Sequence, residues 1–303
     1  MKNRIHKRMA LLLLPAFLLA AGACENIDVL ETEQYIKQVY IVGAADVVWP
    51  FDVTYSNEPQ GAYISVATSG SKYIDEDVTV TLRHNDPTIE WYNNKYLYDA
   101  PVKYRKLDAD KFTIASFQTT VKAGEVYARL PFTIQTGGLH CDSLYAVTFA
   151  IESVSRYEKN TVDTALIMNL NLVNEYSGTY QLAATRYSLA YDNTLGDYIP
   201  NPNGTYSTTR TLKAVDANTV RFFNEARAEA RGGYASNEAY FTAIHNYCVT
   251  FTRNSGNNFR VVPWGTLVIH EGECTYDEVT GFTFRYDYQD GSTRYRLEGT
   301  LKK

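Results

Sequence analysis

Cysteine is scarce in this sequence, with four among 303 residues, and no two are spaced Cys-x-x-Cys. Histidine is nearly as rare: beyond residue 24 there are His84, His140, His245 and His270, scattered through separate segments. Zinc ribbons and dithiol redox sites need clustered thiols or a Cys/His set at fixed spacing, so neither is expected, and no metal or cofactor is implied. Other signatures are missing too. There is no glycine-rich phosphate loop, no His-Glu-x-x-His helix and no Gly-x-Ser-x-Gly elbow. Positive charge is in short supply. The first 23 residues hold four of the 29 basic residues and none of the 34 acidic ones, so the chain from residue 24 onward carries a net charge of −9. Such a chain repels phosphate backbones, which excludes nucleic acid as an expected partner. Long helical periodicity is lacking as well, and the longest apolar run, Met9 to Ala23, falls short of the ~20 residues that span a bilayer.

That short run has a different reading. Lys2, Arg4, Lys7 and Arg8 precede it, and it closes as Leu19-Ala20-Ala21-Gly22-Ala23-Cys24. A basic region, an apolar stretch and small residues before a cysteine resemble the signal and lipobox of bacterial lipoproteins, with Ala21 where leucine is usual. The expectation is a signal peptide over 1–23, a lipid anchor on Cys24 and an acidic tether over 24–38. Acyl chains partition at ~0.8 kcal/mol per buried methylene, so two or three hold a protein on a membrane.

What is abundant is tyrosine, 25 residues, in strand-like text. Val39 to Val42, Val47 to Tyr55, Ala62 to Val66, Val78 to Leu82, Phe112 to Phe117, Val126 to Ile134, Leu144 to Ile151 and Ala165 to Val173 read as strands separated by turns. The pattern predicts an all-β protein whose first domain, 39–173, is an immunoglobulin-like β-sandwich. Within it Trp49, at period two with Phe51, Val53 and Tyr55, is expected in the core, and Trp91 to Asp99 is expected to be locally helical. A second antiparallel β-domain, barrel-like or sandwich, is expected over 174–303. Here Asp192 to Gly204 reads as a long loop, Asn224 to Arg231 as a short alanine-rich helix, and Tyr240 to Arg253 as strand. Phe282, Phe284, Tyr286 and Tyr288 alternate with polar residues up to Asp290-Gly291, a type I′ hairpin pair, and Tyr295, Leu297, Gly299 and Leu301 alternate on the return. Cys248 and Cys274 are either buried free thiols or a cross-strand pair.

Several segments resemble a family of surface lipoproteins from Bacteroides-type polysaccharide-utilisation loci, which contain a domain of unknown function. In the first domain these are Ile89-Glu90-Trp91-Tyr92-Asn93, Tyr104-Arg105-Lys106-Leu107, Val121-Lys122-Ala123-Gly124-Glu125 and Tyr145. The stretch Asn174 to Tyr180 resembles the family's domain junction, and Phe282 to Leu301 its terminal hairpin. At Tyr145-Ala146-Val147-Thr148 the chain departs from the family's usual Tyr-x-Leu-Pro. The resemblance implies an immunoglobulin-like domain, a second β-domain, a place on the outer membrane at the cell surface, and capture of a poly- or oligosaccharide beside an outer-membrane transporter or companion lipoproteins. It supplies no catalytic residues.

Saccharides present apolar C–H faces to aromatic rings and hydroxyls to polar side chains. The candidate glycan-binding residues are therefore Tyr191, Asn193 and Tyr198, with Asp192 and Asn201, in the Asn/Pro/Gly-rich stretch, and Trp264, beside Pro263 and Gly265, with Tyr234 and Tyr240. The dense acidic run Asp75-Glu76-Asp77 reads as a solvated turn, since adjacent strand residues face opposite ways. The expectation is a non-catalytic binding protein. Two alternatives stay open: a fimbrial or other assembly subunit joined by strand addition, and a glycoside hydrolase or its accessory, which needs only two well-placed carboxylates.

Overall fold

A computed structural model of the chain describes residues 32–162, 165–224 and 229–303. The candidate signal, Cys24 and the first part of the tether lie outside the described residues, as does 225–228, the middle of the expected alanine-rich helix. Among the described residues no helix is long and apolar enough to cross a membrane.

The first domain is built from β1 (Gln38–Ile41), β2 (Val48–Thr54), β3 (Gln60–Thr68), β4 (Val78–Arg83), α1 (Pro87–Tyr96), β5 (Tyr104–Lys106), β6 (Phe112–Thr113), β7 (Gln118–Val121), β8 (Tyr127–Ile134), β9 (Leu144–Val154), β10 (Glu158–Lys159) and β11 (Ala165–Val173). Two sheets face each other, ordered β10-β1-β3-β8-β6 and β2-β11-β9-β4-β7, with β5 added alongside β9. Alternation decides which side chains meet. Val78, Val80 and Leu82 are buried against Ile64, Val66, Phe132 and Phe149, while Thr79 and Thr81 point away. The stretch Tyr145 to Ala150 does not alternate, because α1 covers its outer side: Ile89 and Tyr92 pack on Ala146 and Ile167. A strand covered on both faces reads as a continuous apolar run. Proline at the first helical position starts α1 at Pro87, four residues earlier than the sequence implied. Trp49 differs from the core position expected of it. Trp49 is 42% exposed and lies over Gly43, and Trp91 is 45% exposed on the solvent side of α1.

The second domain contains β12 (Gly178–Asp192), β13 (Asp197–Asp216), β14 (Thr219–Phe223), α2 (Asn237–Tyr247), β15 (Cys248–Ser255), β16 (Asn258–Pro263), β17 (Val268–Asp277), β18 (Gly281–Asp290) and β19 (Thr293–Lys302). The eight strands pair in chain order, and β19 returns to β12 to close a barrel. An eight-stranded barrel has a lumen that side chains can fill. Here aromatic rings fill it: Phe222, Phe251, Phe282 and Phe284 stand with centroids 5.2 to 5.5 Å apart, joined by Tyr180, Phe259 and Tyr286. Much of the tyrosine and phenylalanine content is therefore structural.

Three details depart from the sequence reading. The 192–204 stretch is not a loop but the end of a long hairpin, with Tyr191 opposite Tyr198 and the turn held by Asp192, whose carboxylate accepts the Thr194 and Leu195 N–H groups. Pro200 and Pro202 fit there because β14 reaches only Lys213–Asp216, leaving this part of β13 an edge. Residues 237–247 form a helix. The Ser236 hydroxyl accepts the Ala239 N–H, and Tyr240, Ala243, Ile244 and Tyr247 recur at helical spacing. At the terminal hairpin Asp290 pairs with Thr293, so the turn residues are Gly291 and Ser292. Only Gly291 has positive φ, the type II′ pattern rather than I′. Of the two readings of the cysteines, buried free thiols is the one observed: Cys248 packs outside the barrel wall against α2 while Cys274 packs inside it, so the wall itself separates them.

Candidate functional site: the outer face of the barrel

Filling the lumen with rings from one parity of each strand sends the other parity outward. Registry then lines these residues up across the strands. One row runs Asn258, Thr275, Thr283, Thr300, Ala183, Ser207, from β16 through β17, β18, β19 and β12 to β13. The next runs Glu273, Arg285, Glu298, Thr185, Thr205. Between and over these rows lies a groove of about 1260 Å³. It is on the outside: the inward lining residues Phe284 and Cys274 are 2% and 3% exposed, whereas Thr275 and Thr283 are open to solvent. The walls carry hydroxyls and four charges, Arg260, Glu273, Arg285 and Glu298. Arg285 lies 3.8 Å from Glu273, and the Tyr187 hydroxyl donates to Glu298 at 2.8 Å.

Beyond the second row the face becomes an ion-pair network. Asp287 has no exposed surface and accepts from Arg296 Nε at 2.7 Å and from Arg294 Nη2 at 3.0 Å. Burial pushes its carboxyl up, but the hydrogen bonds, Arg296 foremost, outweigh this and hold it below the usual carboxylate range. The Arg294 guanidinium in turn lies 4.4 Å over the Tyr198 ring, and Tyr198 meets Tyr191 edge to face at 5.2 Å. The structure thus brings Tyr191 and Tyr198 together, with Asn193 exposed in the adjoining turn. The hydroxyl rows were missed in the sequence. Their signal was present in the terminal hairpin, where Thr283, Arg285 and Asp287 occupy the positions between the rings.

The other predicted residues gather elsewhere. Tyr234, Tyr240 and Trp264 are half-buried partners of Phe223, Ala243, Ile244 and Cys248, outside β14 and β15, four strands round the barrel from β18 and β19. Tyr234 and Tyr240 meet at 5.5 Å. Trp264 belongs to the junction between the domains: its ring stands 5.5 Å from His140 of the sandwich and 5.6 Å from the Arg221 guanidinium. Among the described residues, one group with metal-ligand chemistry occurs, His140, Cys141 and Asp142, within 4.8 Å of one another. Its donors are already committed. Asp142 binds Arg221 and Lys213, His140 Nδ1 accepts the Asp142 N–H, and burial pushes the Cys141 thiol up to about 11. Two cations on the carboxylate and a protonated thiol do not suit a metal.

Two family models match the sequence, one described as "-like, N-terminal domain" over residues 35–158 and one as "-like, C-terminal" over residues 164–302. The two matches follow one another along the chain, the first over the sandwich and the second over the barrel. Solved structures share the arrangement. A multidomain protein from Bacteroides ovatus that includes a domain of unknown function matches with a TM-score of 0.62 at 18% identity, covering 88% of this chain and 94% of that one. A Bacteroides ovatus protein of unknown function gives 0.61 at 17%, with the same coverage. An auxiliary nutrient binding protein from Bacteroides thetaiotaomicron gives 0.57 at 15%, covering 85% and 91%. At these identities the likeness is one of fold. No curated protein matches the sequence.

Proposed function

We propose that this protein binds an oligo- or polysaccharide on the outer face of its barrel without cleaving it, anchored through Cys24 at the surface of a bacterial outer membrane beside a transporter. One observation carries the reading: a groove of about 1260 Å³ whose walls are hydroxyls and charges of both signs, continued by the Tyr191–Tyr198 ring pair. Hydroxyl side chains both donate and accept, as sugar hydroxyls do, and the exposed Tyr191 ring offers a face for C–H groups. The shared fold with an auxiliary nutrient binding protein supports the same class of role. Non-catalysis is supported by Asp287, the buried carboxylate of this face: two guanidiniums hold it ionised, so it is no proton donor for glycoside hydrolysis.

The test is calorimetry of the chain from residue 25 onward against a broad saccharide panel, with product analysis of every hit. Heat without products is expected, together with a loss of about tenfold or more when Thr283→Trp fills the groove, since a rigid ring displaces several ligand contacts. Products would overturn the non-catalytic reading, and unaltered binding by the variant would move the site off this face. Loss of acyl mass and of membrane retention in Cys24→Ala tests the anchor.

A further inference from the structure

The sandwich has an opening of its own, on a different domain from the groove. β4 and β5 share one edge of β9. β4 pairs antiparallel and ends with Arg83 opposite Ala150, whereas β5 pairs in parallel and ends with Lys106 opposite Ala146. β11 holds the other edge. Among the described residues no strand pairs with Val147, Thr148 or Phe149 on the shared side, and the chain after β4 fills the gap with side chains. His84 Nδ1 lies 2.9 Å from the Thr148 carbonyl oxygen. The Thr148 hydroxyl accepts the Asn85 N–H at 3.0 Å and donates to Asp86 at 2.9 Å.

The filling is incomplete. A cavity of about 370 Å³ remains, walled by Leu107, Phe112, Ile114, Phe117 and Val147, with His84 in its lining and the Lys106–Asp86 pair, 2.6 Å apart, at its rim. A carbonyl oxygen only accepts, so the His84 proton is on Nδ1, and in the neutral ring Nε2 keeps its lone pair. Among the described residues no group donates to Nε2, which retains accessible surface. Phe112 and Phe117 meet the imidazole edge to face at 5.4 and 5.0 Å. The cavity is thus an apolar enclosure with one acceptor that the protein leaves unanswered.

We infer that this cavity binds a small neutral aromatic molecule bearing one hydroxyl, of the phenol class, with its ring against the apolar walls and its O–H donating to His84 Nε2. The space is more than twice the roughly 150 Å³ that holds a benzene, so a substituted ring fits. Aromatic rings favour edge-to-face and offset neighbours, and a further ring extends the cluster that His84, Phe112 and Phe117 already form. A saccharide suits the cavity badly, because each hydroxyl left unpaired against these walls costs about 1–3 kcal/mol. An ion suits it no better: Lys106 and Asp86 already answer each other, so a buried charge would lose water without gaining a free partner.

The experiment is titration of the chain from residue 25 onward, which keeps both domains, with 4-methylphenol, 4-methylanisole and 4-methylbenzoate, followed by nitrogen NMR of histidine-labelled protein. No detergent is used, since it would take up the probes. The phenol is expected to saturate with a Kd of about a millimolar or tighter, and to move the Nε2 resonance of the histidine whose signals vanish in His84→Phe. The anisole, which keeps the body and lacks the donor, should bind about three- to tenfold more weakly. Ile114→Trp, which fills the cavity, should abolish binding, whereas Thr283→Trp on the barrel should leave it unchanged. Equal affinity for phenol and anisole, preference for the benzoate, a stationary His84 signal, or full binding by Ile114→Trp would each overturn the inference, as would no saturation by roughly ten millimolar. Should His84→Phe not fold, the two neutral probes on the unaltered chain decide the matter. None of these results touches the saccharide reading of the barrel.

Discussion

Replacing Asp142 by alanine should destabilise the protein far more than a change at a loop residue normally does. Asp142 sits in the turn before β9, where the Tyr145 hydroxyl accepts the His140 N–H, and it reaches across to the barrel. There it meets Arg221 in a two-pronged contact, Nη1 to Oδ2 and Nη2 to Oδ1, both 2.9 Å, with Lys213 also at 2.9 Å. The Arg221 side chain is only 2% exposed and lies among Trp264, Cys248 and Tyr240. Arg221 is outward on β14 because Val220 and Phe222 point into the lumen, so it has no route back to water while the domains stay docked. Removing one partner of a buried pair costs about 3–5 kcal/mol, most of it the uncompensated charge left behind. For a domain of this size that is a fall in Tm of roughly 6–20 °C. Urea and thermal unfolding of Asp142→Ala measure it. The double variant Asp142→Ala with Arg221→Met should recover most of the loss, because no charge is then stranded. A loss under about 1 kcal/mol in the single variant, well below the range for a buried pair, or no recovery in the double, would refute the reasoning.

Gly281→Ala should lose about 1–3 kcal/mol in urea unfolding, because φ is +79° and a Cβ would collide with the Leu301 carbonyl oxygen. Asp287 has a folded pKa below its unfolded value of about 3.9; its contribution is complete above that pH and disappears as pH falls through the depressed value, so Asp287→Asn should flatten the acid limb of a stability–pH profile. Burial pushes the Cys248 thiol up to about 12 and the Cys274 thiol higher still. At pH 8 native protein should therefore leave both unalkylated, and denaturant should expose both, as read by peptide mass; rapid native labelling would contradict the packing.

How far the sequence reached depended on which physical constraint was local. Period-two runs such as Val78-Thr79-Val80-Thr81-Leu82 specify a strand and its buried face by themselves, because the pleat fixes the parity. The all-β architecture and the strands of the sandwich were legible for that reason. So was the terminal hairpin, although its turn proved one residue further on, at Gly291-Ser292, since two turn types share a glycine signature. Misreadings arose where distant covering decides. Trp49 shares its alternation with Val53 but lies on the edge strand β2, where it packs over Gly43 and stays 42% exposed, and 192–204 looks like loop because prolines are tolerated only once β14 has ended. The 237–247 helix had a legible pattern that its aromatic strand-like residues obscured.

The candidate site divides along the same line. Composition and export-type chemistry, the scarcity of catalytic motifs and the ring-bearing positions belong to the sequence, because each depends on residues close together in the chain. The groove does not. Thr275, Thr283, Thr300, Ala183 and Ser207 come from strands spread over more than a hundred residues, and only closure of β19 on β12 puts them in one row. Likewise Trp264, a binding candidate by its neighbours in sequence, became a partner of Arg221 and His140 at the domain junction once the barrel carried it there. Parity along a strand is set by the covalent chain; which strands lie side by side, and in what register, is set by burial of the rings they enclose.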